Sequence, residues 1–157
     1  MTPAVQAAKK AGIAYKLHEY EHHAESTSYG EEAARLLNQD PGRVFKTLMV
    51  ALEGDQKRLA VGVVPVSGQL NLKAIAAALK VKKVLMADPA AAERSSGYIV
   101  GGISPLGQKR RLPTVIDESA LSYPTLYMSA GRRGLEIEMS AADLQQLTSA
   151  IFAPIGR

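Results

Sequence analysis

The sequence predicts a mixed α+β fold in which helices pack outside a mixed β-sheet or barrel. Helix and strand patterns alternate along all 157 residues, as in architectures that pack helices on a sheet. Two β-rich runs, 44–52 and 58–66, flank a polar turn segment and predict an antiparallel hairpin. A hairpin beside several non-adjacent strands argues against an all-parallel doubly wound sheet. Because no repeat, linker or composition break interrupts the chain, we expect one domain over residues 1–157 with roughly six to eight strands.

Capping residues and short β-rich runs predict the remaining elements. Each expected helix follows a residue able to cap its first turn, and two of these caps precede a proline, which the first turn tolerates. The first helix is expected to end at Gly12, and the last to run through Ile151. The predicted caps are Thr2, Ser28, Asn71, Asp88 and Ser140. Further strands are predicted at 13–20, 82–86, 112–117, 125–129 and 135–139.

Composition excludes several classes of function. The chain has no cysteine, which excludes disulfides, cysteine-ligated metals and a catalytic thiol of the protein itself. A formal net charge of +4 is compatible with an anionic partner such as RNA. The first residues lack a signal-peptide pattern, and the uncharged run Leu59–Leu72 is too short and too broken to span a bilayer. A cytoplasmic protein is therefore expected.

The segment from His18 to His22 matches the zinc-hydrolase pattern H-E-x-x-H. That pattern needs a helix, on which residues four apart share a face and can bind one metal. Here the context predicts a strand, which would separate the two histidines by roughly 13 Å. An edge strand with polar side chains is the favoured interpretation, and a zinc hydrolase is a weak alternative.

Ser104 lies in a segment that approaches the nucleophile elbow of serine hydrolases. The residue after that nucleophile must donate its backbone N–H to the oxyanion. Pro105 has no N–H to donate. The sequence therefore argues against a serine hydrolase centred on Ser104.

Lys46 stands in an otherwise apolar strand. Its face also carries Leu48 and Val50, while the opposite face carries Phe45 and Met49, so both faces are expected to be buried. A lysine in that position must reach an edge, pair with a carboxylate, or point into a polar pocket. Two interpretations remain: a snorkelling side chain, or a cation at the floor of a site that binds carbonyl or phosphate oxygens.

Two glycine-rich loops, 101–111 and 129–134, end in cations. Glycine lets backbone N–H groups approach a ligand closely, and the cations suit phosphate. Solvated loops between strands are the alternative, but a basic face gains support from lysines 80, 82 and 83. The candidate nucleic-acid contacts are Lys109, Arg110, Arg111, Arg132 and Arg133.

These motifs together resemble the YbaK/EbsC family of Cys-tRNA(Pro) deacylases. The likeness runs along nearly the whole chain, and the block 101–109 with the Lys46 strand is its most specific part. The segments that carry it are 44–48, 64–70, 86–89, 97–109 and 133–135.

The resemblance implies a barrel-like mixed sheet flanked by helices, as in the editing domain of some prolyl-tRNA synthetases. It also implies an activity, the trans-editing hydrolysis of cysteine mischarged onto tRNA(Pro). Cysteine and proline are similar in size, and a small pocket separates such molecules poorly, so a second hydrolytic site is needed. No cofactor and no metal are implied. The implied partners are mischarged tRNA(Pro) and prolyl-tRNA synthetase.

The resemblance also implies site residues. The functional lysine of the family falls on Lys46, with Tyr20 and Ser129 beside it as catalytic residues. A family phenylalanine falls on Tyr29, and a family aspartate falls on Glu136, which is longer by one methylene. The implied substrate-binding residues are Tyr29, Thr47, Gly101, Ile103 and Glu136.

The implied mechanism uses no nucleophile from the protein. The substrate's own thiol attacks its ester carbonyl, cyclises to a thiolactone and releases the tRNA. The pocket then contributes by aligning the thiol with the carbonyl, a proximity effect worth up to ~7–11 kcal/mol. The alternative is a non-catalytic regulator that binds aminoacyl-tRNA or a synthetase on the same fold.

Overall fold

The computed structural model describes residues 1–22 and 28–157 of the chain. In this part the chain forms five α-helices, one 3₁₀ turn (Glu118–Ser122) and eight strands. The helices are α1 (Pro3–Ala11), α2 (Tyr29–Leu36), α3 (Leu72–Leu79), α4 (Pro89–Ser96) and α5 (Ala141–Thr148). The strands are β1 (Lys16–Glu19), β2 (Phe45–Leu52), β3 (Leu59–Pro65), β4 (Val84–Met86), β5 (Thr114–Asp117), β6 (Leu126–Arg132), β7 (Leu135–Met139) and β8 (Ile151–Ala153). The predicted α+β composition is confirmed.

The strands form two separate open sheets. One is antiparallel and three-stranded, in the order β1-β7-β6, and the other is mixed and five-stranded, in the order β4-β2-β3-β5-β8. The predicted hairpin is present as the antiparallel pair β2–β3. The expected barrel does not close, because in the described part of the chain an isolated bridge between Val44 and Tyr127 is the only β-pairing that joins the sheets.

Local capping signals placed the helices well. The Thr2 side chain accepts the Val5 N–H at 3.2 Å and donates to the Ala130 carbonyl, which ties the start of α1 to β6. Asn71 and Ser140 also accept hydrogen bonds from the first turns of α3 and α5. The predicted caps Ser28 and Asp88 precede α2 and α4 without a side-chain hydrogen bond of this kind.

The last predicted helix was too long. It ends at Thr148, and Ser149 adopts a left-handed conformation with φ of 54° that stops the helix. The following residues form β8, which pairs in parallel with β5. A three-residue strand is too short to show a period of two, so its partner strand rather than its own sequence defines it.

The three-stranded sheet has two unlike faces. On β7, Ile137 and Met139 point into the main core between the sheets, together with Met128 of β6. The alternate residues, which include Glu136 and Ser129, lie on the opposite face. That polar face meets the first half of β2 and the start of α2, and this is where the candidate site lies.

None of the helices formed by residues 1–22 and 28–157 combines the length and the apolar character that crossing a membrane requires.

Candidate functional site

A cavity of about 400 Å³ lies between the polar face of the three-stranded sheet, β2, the start of α2 and the loop 100–103. Cavities of this size bind small molecules or one end of a larger ligand. The structure brings all eight residues predicted as catalytic or substrate-binding to this cavity. They are Tyr20, Tyr29, Lys46, Thr47, Gly101, Ile103, Ser129 and Glu136.

Lys46 is partly buried in the cavity wall. Its ammonium donates to the Gly68 carbonyl at 2.8 Å, and within residues 1–22 and 28–157 it forms no ion pair with a carboxylate. The side chain therefore neither pairs its charge nor simply reaches bulk solvent. A cation held in this way retains N–H donors for an oxygen of a bound ligand.

Glu136 is a buried carboxyl group on the same cavity. Only 5% of the residue is exposed, and it lies across the sheet from Ser129 on β6 and from His18 on β1. Burial raises the pKa of Glu136 to about 8. In the described part of the chain no side chain or backbone group donates a hydrogen bond to this carboxyl group, so it remains available to a ligand.

Tyr20 follows β1 and is held by a backbone hydrogen bond of 2.9 Å to the Gly134 carbonyl. Burial raises the pKa of its phenol, and the nearby carboxylates of Glu136 and Glu32 raise it further. The hydroxyl group therefore keeps its proton at neutral pH, and it can act as a hydrogen-bond donor in the cavity.

Ser129 is already hydrogen-bonded to the 100–103 loop and within its own strand. Its hydroxyl donates to the Gly102 carbonyl at 3.0 Å and accepts the Gly131 N–H at 3.1 Å. One lone pair is left for a substrate. Gly102 also packs closely, since a Cβ there would lie 2.7 Å from the Arg132 Cα. Ser129 thus fixes the position of the 100–103 loop as well as facing the cavity.

The ring of Tyr29 forms another wall. On one side it faces Gly101, whose φ of +99° is one that side chains rarely adopt, and where a Cβ would lie 3.4 Å from the ring. The guanidinium of Arg133 lies 4.7 Å from the centroid of the same ring. Arg133 is in turn hydrogen-bonded to the buried carboxylate of Glu32.

The predicted nucleic-acid contacts lie outside the cavity lining and differ among themselves. Lys109 and Arg110 are exposed, and exposed Arg111 contacts the Ser149 hydroxyl. Arg132 is exposed and lies 3.8 Å from a carboxylate oxygen of Glu19. Arg133 instead has a side chain only 18% exposed and pairs with Glu32. The structure therefore brings four of the five cations to solvent.

The H-E-x-x-H segment and Ser104 lie in ordinary structural environments. His18 lies on a strand, as predicted, and its Nε2 is 2.9 Å from a carboxylate oxygen of Glu138. Among the described residues there is no cluster of three or more potential His, Cys, Asp or Glu metal ligands. Ser104 is fully buried, and its hydroxyl accepts the Leu106 N–H at 3.2 Å.

Sequence reasoning missed two parts of the site. The first is Glu32, whose partner Arg133 is 101 positions away, so no local pattern could have found the pair. The second is an apolar side of the cavity formed by the end of β4, the start of α4 and the connection between them. Its lining residues are Met86, Ala87, Pro89 and Ala92. Segment 86–89 is one of those that show the family resemblance, but from sequence its aspartate and proline predict only the start of a helix.

Comparison with known protein families shows which proteins this chain is similar to. Residues 23–147 match the model of a family described as the aminoacyl-tRNA editing domain. A protein of Enterococcus faecalis, named provisionally as the Cys-tRNA(Pro)/Cys-tRNA(Cys) deacylase EbsC, is 36% identical over 154 residues. That match spans 98% of this chain and 92% of the relative.

Solved structures share the fold. The crystal structure of a hypothetical protein matches with a TM-score of 0.86 at 25% identity, covering 99% of this chain and 100% of the other. A structure named provisionally as a trans-editing enzyme for prolyl-tRNA synthetase matches with a TM-score of 0.84 at 23% identity. It covers 100% of this chain and 99% of the other. The family model spans most of the chain and the relative spans nearly all of it, so the chain belongs to the YbaK/EbsC family of aminoacyl-tRNA editing domains.

Proposed function

We propose that this chain is a trans-editing deacylase that releases cysteine from mischarged Cys-tRNA(Pro). The observation that carries the proposal is one cavity that unites Lys46, which has no carboxylate partner among the described residues, with the buried carboxyl group of Glu136. An aminoacyl ester carries both a cationic α-ammonium and polar ester oxygens. Lys46 offers a positive charge to the ester oxygens, and the carboxyl oxygens of Glu136 offer hydrogen-bond acceptors to the ammonium.

In this mechanism the substrate supplies the nucleophile. The cysteine sulfur forms a bond to the ester carbonyl carbon, the bond from that carbon to the ribose oxygen breaks, and the thiol proton passes to the departing oxygen. The products are a thiolactone and tRNA with a free terminal hydroxyl. The chain has no cysteine, and no histidine of the described residues lines the cavity. Rate enhancement then comes from alignment of thiol and carbonyl and from charge stabilisation.

Each predicted catalytic residue has a role that its contacts allow. The ammonium of Lys46 binds the ester oxygen or an oxygen of the terminal nucleotide, where negative charge develops. Tyr20 donates a hydrogen bond from a phenol that burial keeps protonated. Ser129 holds the 100–103 loop and offers its remaining lone pair to the substrate. Thr47, Ile103 and Gly101 shape the walls.

Selection of tRNA(Pro) is part of the same proposal. The exposed cations Lys109, Arg110, Arg111 and Arg132 contact the phosphate backbone, which carries no sequence information. Discrimination between tRNAs is then supplied by prolyl-tRNA synthetase as a partner. Adding the synthetase should speed release from Cys-tRNA(Pro) more than release from Cys-tRNA(Cys).

The decisive experiment is a deacylation panel with Cys-, Ala- and Ser-tRNA(Pro). Wild-type protein should release cysteine fastest, because a hydroxyl is a poorer nucleophile than a thiol and alanine has neither group. Equal release of serine and cysteine would contradict the substrate-thiol mechanism. Binding of all three without release would favour the non-catalytic regulator.

Lys46→Ala should lower the rate of cysteine release by about 100-fold or more, since one lost donor to a developing oxyanion costs that much. Lys73→Ala is a matched control, because Lys73 is an exposed lysine on α3 outside the cavity lining. Thermal unfolding of both variants checks that the fold survives. A folded Lys46→Ala variant with full activity would show that the site is wrongly assigned.

A further inference from the structure

We propose that Arg133 is a positioning residue that determines the amino-acid selectivity of the cavity, and not a tRNA phosphate contact. Its guanidinium holds the Tyr29 ring against Gly101 and thereby sets one wall of the cavity. This inference rests on the proposed deacylase function. It assigns Arg133 a task different from that of the exposed cations around it.

Glu32 anchors the guanidinium of Arg133. The Nε and Nη2 atoms of Arg133 each lie 3.1 Å from a different carboxylate oxygen of Glu32, in a two-pronged pair. The Glu32 side chain is fully buried, and that of Arg133 is only 18% exposed. Because its charge is already balanced by a buried carboxylate, Arg133 offers little to a phosphate.

From this anchor Arg133 reaches Tyr29. The guanidinium carbon lies 4.7 Å from the ring centroid, within the range of a cation–π contact. Tyr29 lines the cavity, whereas Arg133 does not. The contact with the Tyr29 ring is therefore a route by which Arg133 acts on a bound aminoacyl group.

Gly101 also packs closely against the ring. Gly101 has no side chain, and its Cα approaches the ring so closely that a Cβ would be in contact with three ring atoms at 3.4–3.5 Å. The next residue, Gly102, is held by the Ser129 hydroxyl through its carbonyl. Since the loop cannot follow the ring, loss of the Arg133 contact would let the ring move and change the width of the cavity.

A shift of this wall should act on selectivity rather than on tRNA affinity. A hydrophobic pocket separates side chains that differ by one small group by only a modest factor, which depends on close fit. Phosphate contacts instead act equally on every aminoacyl group and show themselves in the salt dependence of binding. The two roles therefore predict different measurements.

The test compares Arg133→Lys with Arg132→Ala. Arg133→Lys keeps the charge but loses the planar fork and the stacked guanidinium. We expect the Kd ratio of the non-hydrolysable amide analogues, alanyl-adenosine over cysteinyl-adenosine, to fall by about tenfold, with an unchanged salt dependence of KM for Cys-tRNA(Pro). Arg132→Ala removes a neighbouring exposed charge, so it should weaken the salt dependence and leave the ratio unchanged. An unchanged ratio in a folded Arg133→Lys variant would overturn the proposal.

A double-mutant cycle tests whether Arg133 acts through the ring. Tyr29→Leu should lower the same ratio, and adding Arg133→Lys to it should cause no further loss. A full additional loss in the double variant would refute the coupling. Calorimetric binding of non-hydrolysable amide analogues of cysteinyl- and alanyl-adenosine gives the ratio without catalysis. If wild-type protein releases no amino acid, the proposed function fails, while the Kd ratio still decides the role of Arg133.

Discussion

Two buried glutamates near the cavity have opposite surroundings. Glu32 on α2 and Glu136 on β7 are 2% and 5% exposed. Glu32 receives two hydrogen bonds from Arg133. Glu136 receives none from the described residues, and burial raises its pKa to about 8. The charge of Glu32 is balanced inside the fold, whereas the carboxyl group of Glu136 is available to a ligand that enters the cavity.

This difference separates stability from function. A buried charge that has its partner holds two chain segments together, and removing that partner is costly. A buried carboxyl group without a partner destabilises the fold whenever it ionises, and such groups concentrate at functional sites. Three substitutions, which probe these two glutamates and the neighbouring Glu138, test this division.

The largest effect should come from removing Arg133, the arginine that pairs with the buried Glu32. Arg133→Ala removes the arginine that forms two hydrogen bonds to the buried Glu32 carboxylate, which should lower the free energy of unfolding by about 3–5 kcal/mol. Urea denaturation near neutral pH measures it. Arg132→Ala, which removes an exposed arginine with a distant 3.8 Å partner, should cost less than about 1 kcal/mol. Equal costs for the two variants would contradict the division.

Glu136→Gln should stabilise the protein, and only at higher pH. The pKa of Glu136 rises from 4.5 to about 8 on folding, so the wild-type fold loses stability as pH rises through this interval. Glutamine stays neutral and avoids that loss. Its advantage should be small at about pH 5 and reach a few kcal/mol at about pH 8. An advantage that does not change with pH would mean that Glu136 is already ionised in the folded protein.

The smallest effect should come from Glu138, two residues further along the same face of β7. Burial alone would raise its pKa, but hydrogen bonds from Thr125 and His18 and the charge of Arg43 outweigh burial and lower it. Glu138→Gln should therefore cost about 1 kcal/mol near neutral pH. The cost should disappear as the pH falls through the lowered pKa of Glu138. If Glu138→Gln were more stable than wild type at neutral pH, Glu138 would be destabilising in its ionised form, as is expected of Glu136.

Local chemistry explains why much of the secondary structure was predictable. The caps Thr2, Asn71 and Ser140 act on residues three positions away, and the β2–β3 hairpin depends on adjacent runs. Both faces of β2 were expected to be buried, and Phe45 and Val50 on opposite faces are. The extent of α5, the strand β8 and the open ends of the sheets depend on distant partners, and no local pattern contained them.

The candidate site was likewise predictable from the sequence only in part. Lys46 attracted attention from sequence alone, because a cation in an apolar strand is unusual. The resemblance added seven more positions, and the structure places them at the same cavity. The separate surroundings of Arg132 and Arg133 could not be seen in the sequence, where the two arginines are adjacent and alike. One ends in solvent and the other in a buried ion pair.

The sequence by itself determined most of the element types, the absence of a protein thiol and the presence of a cation in a buried strand. These follow from composition and from interactions between near neighbours. Tertiary structure alone decided which charges are compensated, because compensation depends on residues far apart in the chain. Arg133 meets Glu32 across 101 positions, whereas Glu136 lies beside Tyr20 and Ser129 without receiving a hydrogen bond from either. Desolvation acts on each buried charge according to the partner that folding brings to it.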